Sequence, residues 1–161
     1  MMTENLMSRT ITTCRPETDL ETAAKMMWEG DFGVLPVVDQ KEKIQGVITD
    51  RDICIALAAK RKPAADLRVS EIMKGAVYAV HMQDDIHEAL KQMKEHRVRR
   101  LPVLGADEKI QGMISINDII LDTQEKGEEH PNYQETIEVM KSICAHRPRK
   151  VESEERPLLH S

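Results

Sequence analysis

Two stretches decide how this chain folds: LPVVDQKEKIQGVITDRDI at residues 35–53 and LPVLGADEKIQGMISINDI at residues 101–119. Shifted by 66 residues, they lie on each other without a gap. Leu35-Pro36-Val37 falls on Leu101-Pro102-Val103, and Glu42-Lys43-Ile44-Gln45-Gly46 on Glu108-Lys109-Ile110-Gln111-Gly112. Between 11–57 and 77–123 the two copies share 16 identities in 47 positions. Average residue frequencies would give about 3 by chance. The chain therefore contains an internal repeat.

Working outward, each copy reads as the same series of elements. Leu20, Ala23, Ala24 and Met27 are spaced i, i+3, i+4, i+7, as are Ile86, Ala89, Leu90 and Met93. That is one face of an amphipathic helix, with Thr18 and Asp84 as candidate N-caps. The Leu-Pro-Val runs read as strands that are short or lie near a sheet margin, since proline lacks a ladder donor. A polar turn leads to second strands at 44–49 and 110–115, then to second helices near Asp50 and Ile116. Further short strands are predicted at 11–14 and 77–80. About 50 residues bury too little apolar surface to stand alone, so the copies are expected to pack sheet to sheet as one module. The expected divisions are 3–60, 69–123, a C-terminal amphipathic helix at 131–147 with Tyr133, Ile137, Met140 and Cys144 on its apolar face, and a disordered tail at 148–161.

Chemistry concentrates where the second strand meets the second helix. Thr49 and Asp52 recur as Ser115 and Asp118, each pair following a Gly-apolar-apolar step. A helix N-terminus suits phosphate. A carboxylate can accept both hydroxyls of a ribose. Ser/Thr-x-x-acid is also a capping box, serving only its own helix. Recurrence at the same point of a repeat favours the ligand reading.

The order of short strand, helix, Leu-Pro-Val strand, turn and Gly-apolar-apolar-Thr/Ser-x-x-Asp, present twice over residues 3–123, resembles a tandem cystathionine-β-synthase (CBS) domain pair. Glu4-Asn5-Leu6-Met7 and Ser70-Glu71-Ile72-Met73 resemble the lead-in helices of such motifs. The resemblance implies an α+β fold of two β-α-β-β-α repeats packed by pseudo-twofold symmetry. It also implies a homodimer and a non-catalytic sensor of an adenosyl ligand: AMP, ADP, ATP, NAD(H) or S-adenosylmethionine. Carried over by position, one cleft would use Ser115, Asp118, Ile114, Arg100, Thr12, Phe32 and Gly33. The other would use Thr49, Asp52, Ile48, Tyr78, Val98 and Arg99. Because His96-Arg97-Val98-Arg99-Arg100 is the one concentrated basic stretch inside the repeats, the Ser115/Asp118 cleft is expected to be the better phosphate site.

The remaining features narrow the field. Net charge is −5, which argues against broad nucleic-acid binding. Cys14, Cys54 and Cys144 are odd in number, far apart and without metal-like spacing, and suit free thiols in a reducing, cytoplasmic setting; Cys54 is expected to be packed. No apolar run approaches a membrane span, no signal peptide is visible, and the six histidines share no ligand spacing. A constitutive dimerisation or protein-interaction module with vestigial clefts is the competing reading, and redox regulation through a cysteine a third. The regulated partner is not encoded visibly.

Overall fold

The computed structural model describes residues 1–123 and 130–145. The predicted tail at 148–161 lies outside them. Repeat 1 supplies α1 (Leu20–Gly30), β1 (Val34–Val38), β2 (Ile44–Thr49) and α2 (Asp50–Lys60). Repeat 2 supplies β3 (Val80–His81), α3 (Ile86–His96), β4 (Arg100–Leu104), β5 (Ile110–Ser115) and α4 (Ile116–Asp122); α5 (Tyr133–Cys144) follows. In each repeat the Leu-Pro-Val strand pairs antiparallel with the next. The register slips between Val37 and Val38 and again between Val103 and Leu104. Repeat 2 adds β3 in parallel. Repeat 1 has only the Cys14–Val37 bridge where a strand at 11–14 was expected. β4 is short, at five residues, though it is the central strand of its sheet. Pro102 is tolerated because the two-residue β3 pairs with Val103 and Leu104 and stops short of it.

The two repeats exchange their lead-in segments. The first turn, Thr3–Asn5, packs on repeat 2: the Thr3 amide donates to the Asp84 carbonyl at 2.8 Å, and Met7 is buried among Val80, Ile86, Leu90 and Ile114. Conversely Val69–Glu71, which opens repeat 2 in the chain, packs on repeat 1. The Val69 amide donates to the Thr18 carbonyl at 2.8 Å, and Leu67 and Val69 complete the core around Leu20, Leu35 and Ile48. The swap obeys the repeat symmetry. Ser8 bridges Met113 as Lys74 bridges Val47, and Met2 bridges Asp85 as Arg68 bridges Asp19. Each pair maps onto the other by the 66-residue shift. A third cluster, Val38, Leu104 and Ile110 with Ile11, Ile44 and Ala79 against it, joins the copies, and Lys43 bridges its own counterpart Lys109.

The exchange explains the glycine before each apolar-apolar step. A Cβ on Gly112 would stand 2.6 Å from the Ser8 carbonyl and 2.9 Å from the Met7 sulfur, and one on Gly46 would stand 2.7 Å from the Lys74 carbonyl. The exchanged backbone lies where any side chain would have to go.

Three local expectations need correction. The N-caps are Asp19 and Asp85, one residue later than Thr18 and Asp84. Asp19 accepts from the Thr22 amide and Asp85 from the His87 amide. Thr18 and Asp84 instead close the preceding turns, accepting from the Arg15 and His81 amides. Helix α5 buries Thr136 and Val139, with Met140 and Ile143 packed beside them; Tyr133, Ile137 and Cys144 are exposed. It lies on α3, tied by His87–Glu135 at 2.8 Å and Lys94–Glu138 at 2.9 Å. Cys54 is exposed, not packed, whereas Cys14 is buried and its thiol is pushed up to about 11 by burial.

Gly112→Ala should cost about 1–3 kcal/mol in urea unfolding, the usual range for overpacking. Gly75→Ala, where a Cβ meets nothing within 4 Å, should stay within about 0.5 kcal/mol of wild type. Equal stabilities of the two variants would contradict the close approach.

Candidate functional site

The two helix tips are built alike. The Asp52 amide donates to Thr49 Oγ1 at 3.1 Å, and the Thr49 amide donates to Asp52 Oδ2 at 3.1 Å. The Asp118 amide donates to Ser115 Oγ at 3.2 Å, and the Ser115 amide donates to Asp118 Oδ2 at 2.8 Å. Both are complete capping boxes. Other first-turn amides are taken as well: Asp50 donates to the Gly33 carbonyl, Arg51 to Asp50 Oδ1, and Ile116 to the Arg99 carbonyl. The helix tips therefore have few free N–H groups to offer a phosphate, contrary to the sequence reading. The positive charge in these clefts therefore comes from cationic side chains.

Two clefts open at the junction of the repeats. The smaller, about 210 Å³, is lined by Thr12, Phe32, Arg100, Ser115 and Asp118, with Met113 and Pro36 in its apolar wall. The larger, about 640 Å³, is lined by Thr49, Tyr78, Val98 and Arg99. Gly33, assigned from sequence to the smaller cleft, lines the larger one. Ile48 and Ile114, assigned one to each, line neither and are fully buried in the two cores. Alternation along β2 and β5 turns the neighbouring Val47 and Met113 outward instead.

The carboxylates differ. Asp118 lines its cleft with Oδ2 committed to the cap. Asp52 does not line the larger cleft; Oδ2 serves the cap and Oδ1 meets the Lys74 ammonium at 2.8 Å. Burial alone would raise the Asp52 carboxyl, but the Lys74 ammonium and the Thr49 hydroxyl more than reverse this, leaving it below its usual value. Asp50, not among the residues assigned to a cleft from sequence, lines the larger cleft.

The positive charge also lies opposite to expectation. Among the described residues the smaller cleft has Arg100 as its only cationic lining residue, whereas the larger has Arg51, Lys74, Arg97, Arg99 and Arg100. The basic stretch at 96–100 faces mainly the Thr49 cleft. There Tyr78 and His96 stack at 3.5 Å between ring centroids, with planes 6° apart.

Exchanged repeats with paired junction clefts define a tandem α+β ligand-cleft module. The model of the CBS domain family matches residues 4–59 and 69–122, and the chain belongs to that family. It is 30% identical over 142 residues to Hypoxic response protein 1 of Mycobacterium tuberculosis, covering 88% of this chain and 92% of that one. Among solved structures it resembles Hypoxic Response Protein I with two coordinated zinc ions, at TM-score 0.68 and 30% identity, over 75% of this chain and 98% of that one. It also resembles the CBS domain pair of protein MJ0100 in complex with 5′-methylthioadenosine and S-adenosyl-L-methionine, at TM-score 0.67 and 25% identity, over 75% and 98% of the two chains. Among the described residues no three His, Cys, Asp or Glu side chains group as a metal site, and no helix is long and apolar enough to cross a membrane.

Lys74→Met should lower stability at neutral pH by no more than about 1 kcal/mol, since the lysine is largely exposed. A carboxyl held below its usual 3.8 in the fold stabilises above that value and loses the contribution as pH falls through its lowered pKa. The gap between variant and wild type should therefore close in acid. A gap that persists there would show that the lysine acts by packing.

Proposed function

We propose that this chain is a non-catalytic regulatory module that holds a phosphorylated adenosine ligand in the larger cleft and works as a homodimer. The carrying observation is that five cationic side chains, an aromatic pair and an apolar wall line one cleft of about 640 Å³. That volume falls within the range of small-molecule sites, roughly 300–1,000 Å³. The MJ0100 pair holds adenosyl ligands, which supports the adenosine class. The five cations favour a nucleotide or NAD(H) over S-adenosylmethionine. In this reading the base lies against Tyr78, Val98, Val77 and Met113. The ribose hydroxyls meet Thr49 and Asp50 in place of the occupied Asp52. The phosphates go to Lys74, Arg97, Arg99 and Arg100, arginine being suited to bidentate phosphate binding. The smaller cleft, with Thr12, Phe32, Ser115 and Asp118, takes a smaller or weaker ligand.

The constitutive-dimer reading draws support from the outer helix faces. Trp28 is 87% exposed on α1, and α2 leaves Cys54, Ile55, Ala58 and Ala59 exposed. A helix apolar all round belongs in a buried setting. On repeat 2 the corresponding helix α3 is covered by α5. We assign the Trp28 face to a second copy of the chain, a contact both readings share. They divide on whether the clefts are used.

A thermal-shift series with AMP, ADP, ATP and NAD should separate them. At a hundredfold excess over Kd, a ligand adds about 2.7 kcal/mol. The melting temperature should rise with the adenine nucleotides, and Arg97→Ala/Arg99→Ala should remove most of the rise. A flat response to the whole series would leave only the dimerisation reading. Separately, Trp28→Asp should convert a dimer to a monomer in light scattering with its circular dichroism unchanged. A variant that stays dimeric would move the contact elsewhere.

A further inference from the structure

Arg100 lines both clefts, as do Val34 and Met113. Val34 and Arg100 are the same repeat position, 66 residues apart, and open β1 and β4. A symmetric pair would carry two like side chains on the dividing wall, one for each cleft. This chain has valine at one position and arginine at the other. The larger cleft has four other cationic lining residues, and the smaller has none. Among the described residues, the arginines held in ion pairs are Arg9 and Arg15, so Arg100 is uncommitted. It is also exposed at the strand start, where a long side chain can turn either way.

We propose that Arg100 is a shared anion ligand, through which a phosphate in one cleft weakens an anionic ligand in the other. The proposal rests on the nucleotide reading above. Turned into one cleft to make a planar, bidentate contact with a phosphate, the guanidinium is withdrawn from the cleft on the other side of the wall. Once the larger cleft holds Arg100, the smaller offers an incoming anion no cationic side chain and leaves the Asp118 carboxylate unopposed. The coupling is negative and, as a binding free energy, reciprocal. A neutral ligand does not compete for Arg100 and feels none of it. The loss of one charged hydrogen-bonding partner sets the size of the effect at roughly 10–100-fold in affinity.

The test is an NMR and calorimetric titration of the full chain with AMP and with adenosine. The Thr12 amide reports the smaller cleft and the Tyr78 amide the larger. In wild type, AMP should enter the smaller cleft roughly 10–100-fold more weakly than in an Arg97→Glu/Arg99→Glu variant, whose larger cleft rejects phosphate. In Arg100→Leu, smaller-cleft affinity should be the same whether the larger cleft is full or empty. Adenosine should show no coupling in wild type. Circular dichroism checks that each variant is folded. Equal AMP affinity at the smaller cleft in wild type and in the double variant overturns the proposal and leaves the nucleotide reading standing. So does a smaller cleft that stays empty in the double variant. Failure of AMP and adenosine to enter either cleft of wild type removes both.

Discussion

The structure depends on two backbone contacts that no side chain can intrude upon: Ser8 against Gly112, and Lys74 against Gly46. Through them each repeat borrows its first segment from the other's stretch of chain. Leu67 and Val69 are fully buried in the core of repeat 1, and Met7 is buried in that of repeat 2. Neither core closes without its borrowed piece. The pair is thus held by shared cores as well as by the small cluster between the sheets, and the junction, where the clefts lie, is fixed in geometry by backbone hydrogen bonds.

That rigid, symmetric frame carries asymmetric side chains. Both helix tips have the same capping box, yet the carboxylate on one side faces its cleft and the other is locked to Lys74. Both repeats start their Leu-Pro-Val strand at the dividing wall, yet one brings valine and the other arginine. Duplication supplies two equal pockets, and divergence at a few lining positions makes one roomy and basic and the other small. Since the capping boxes satisfy so many helix-tip amides, charge selection rests on side chains that can diverge without disturbing the fold.

The sequence made the tandem architecture and the helix starts at Asp50 and Ile116 legible, because repetition and capping chemistry are local. Most of the residues it assigned to the clefts also line one of them. It misplaced Ile48 and Ile114 because Val47-Ile48 and Met113-Ile114 are continuous apolar pairs, and alternation cannot set the face where both neighbours are apolar. It chose the wrong stripe of α5 for a similar reason. Tyr133 and Ile137 compete with Val139 and Ile143, and only the presence of α3 decides between them. The lead-in exchange was invisible, since hydrophobicity says that Met7 is buried but not in which copy. Val98, Arg99 and Arg100 line the clefts they were assigned to, but the expectation that the Ser115/Asp118 cleft would be the more basic ran the wrong way, because chain order does not reveal which side of the wall Arg51, Lys74 and Arg97 face.

The exchange also sets a timetable for synthesis. Residues 1–8 are made about a hundred residues before their seat on β5 and α3 is finished at Ser115. At translation rates of about 5–20 residues per second, the wait is on the order of 5–20 s. Repeat 1 can close as soon as Lys74 has emerged, whereas repeat 2 must recover a segment made ahead of the whole of repeat 1's core. During that interval Leu6 and Met7 wait without the repeat 2 core that covers them in the finished fold.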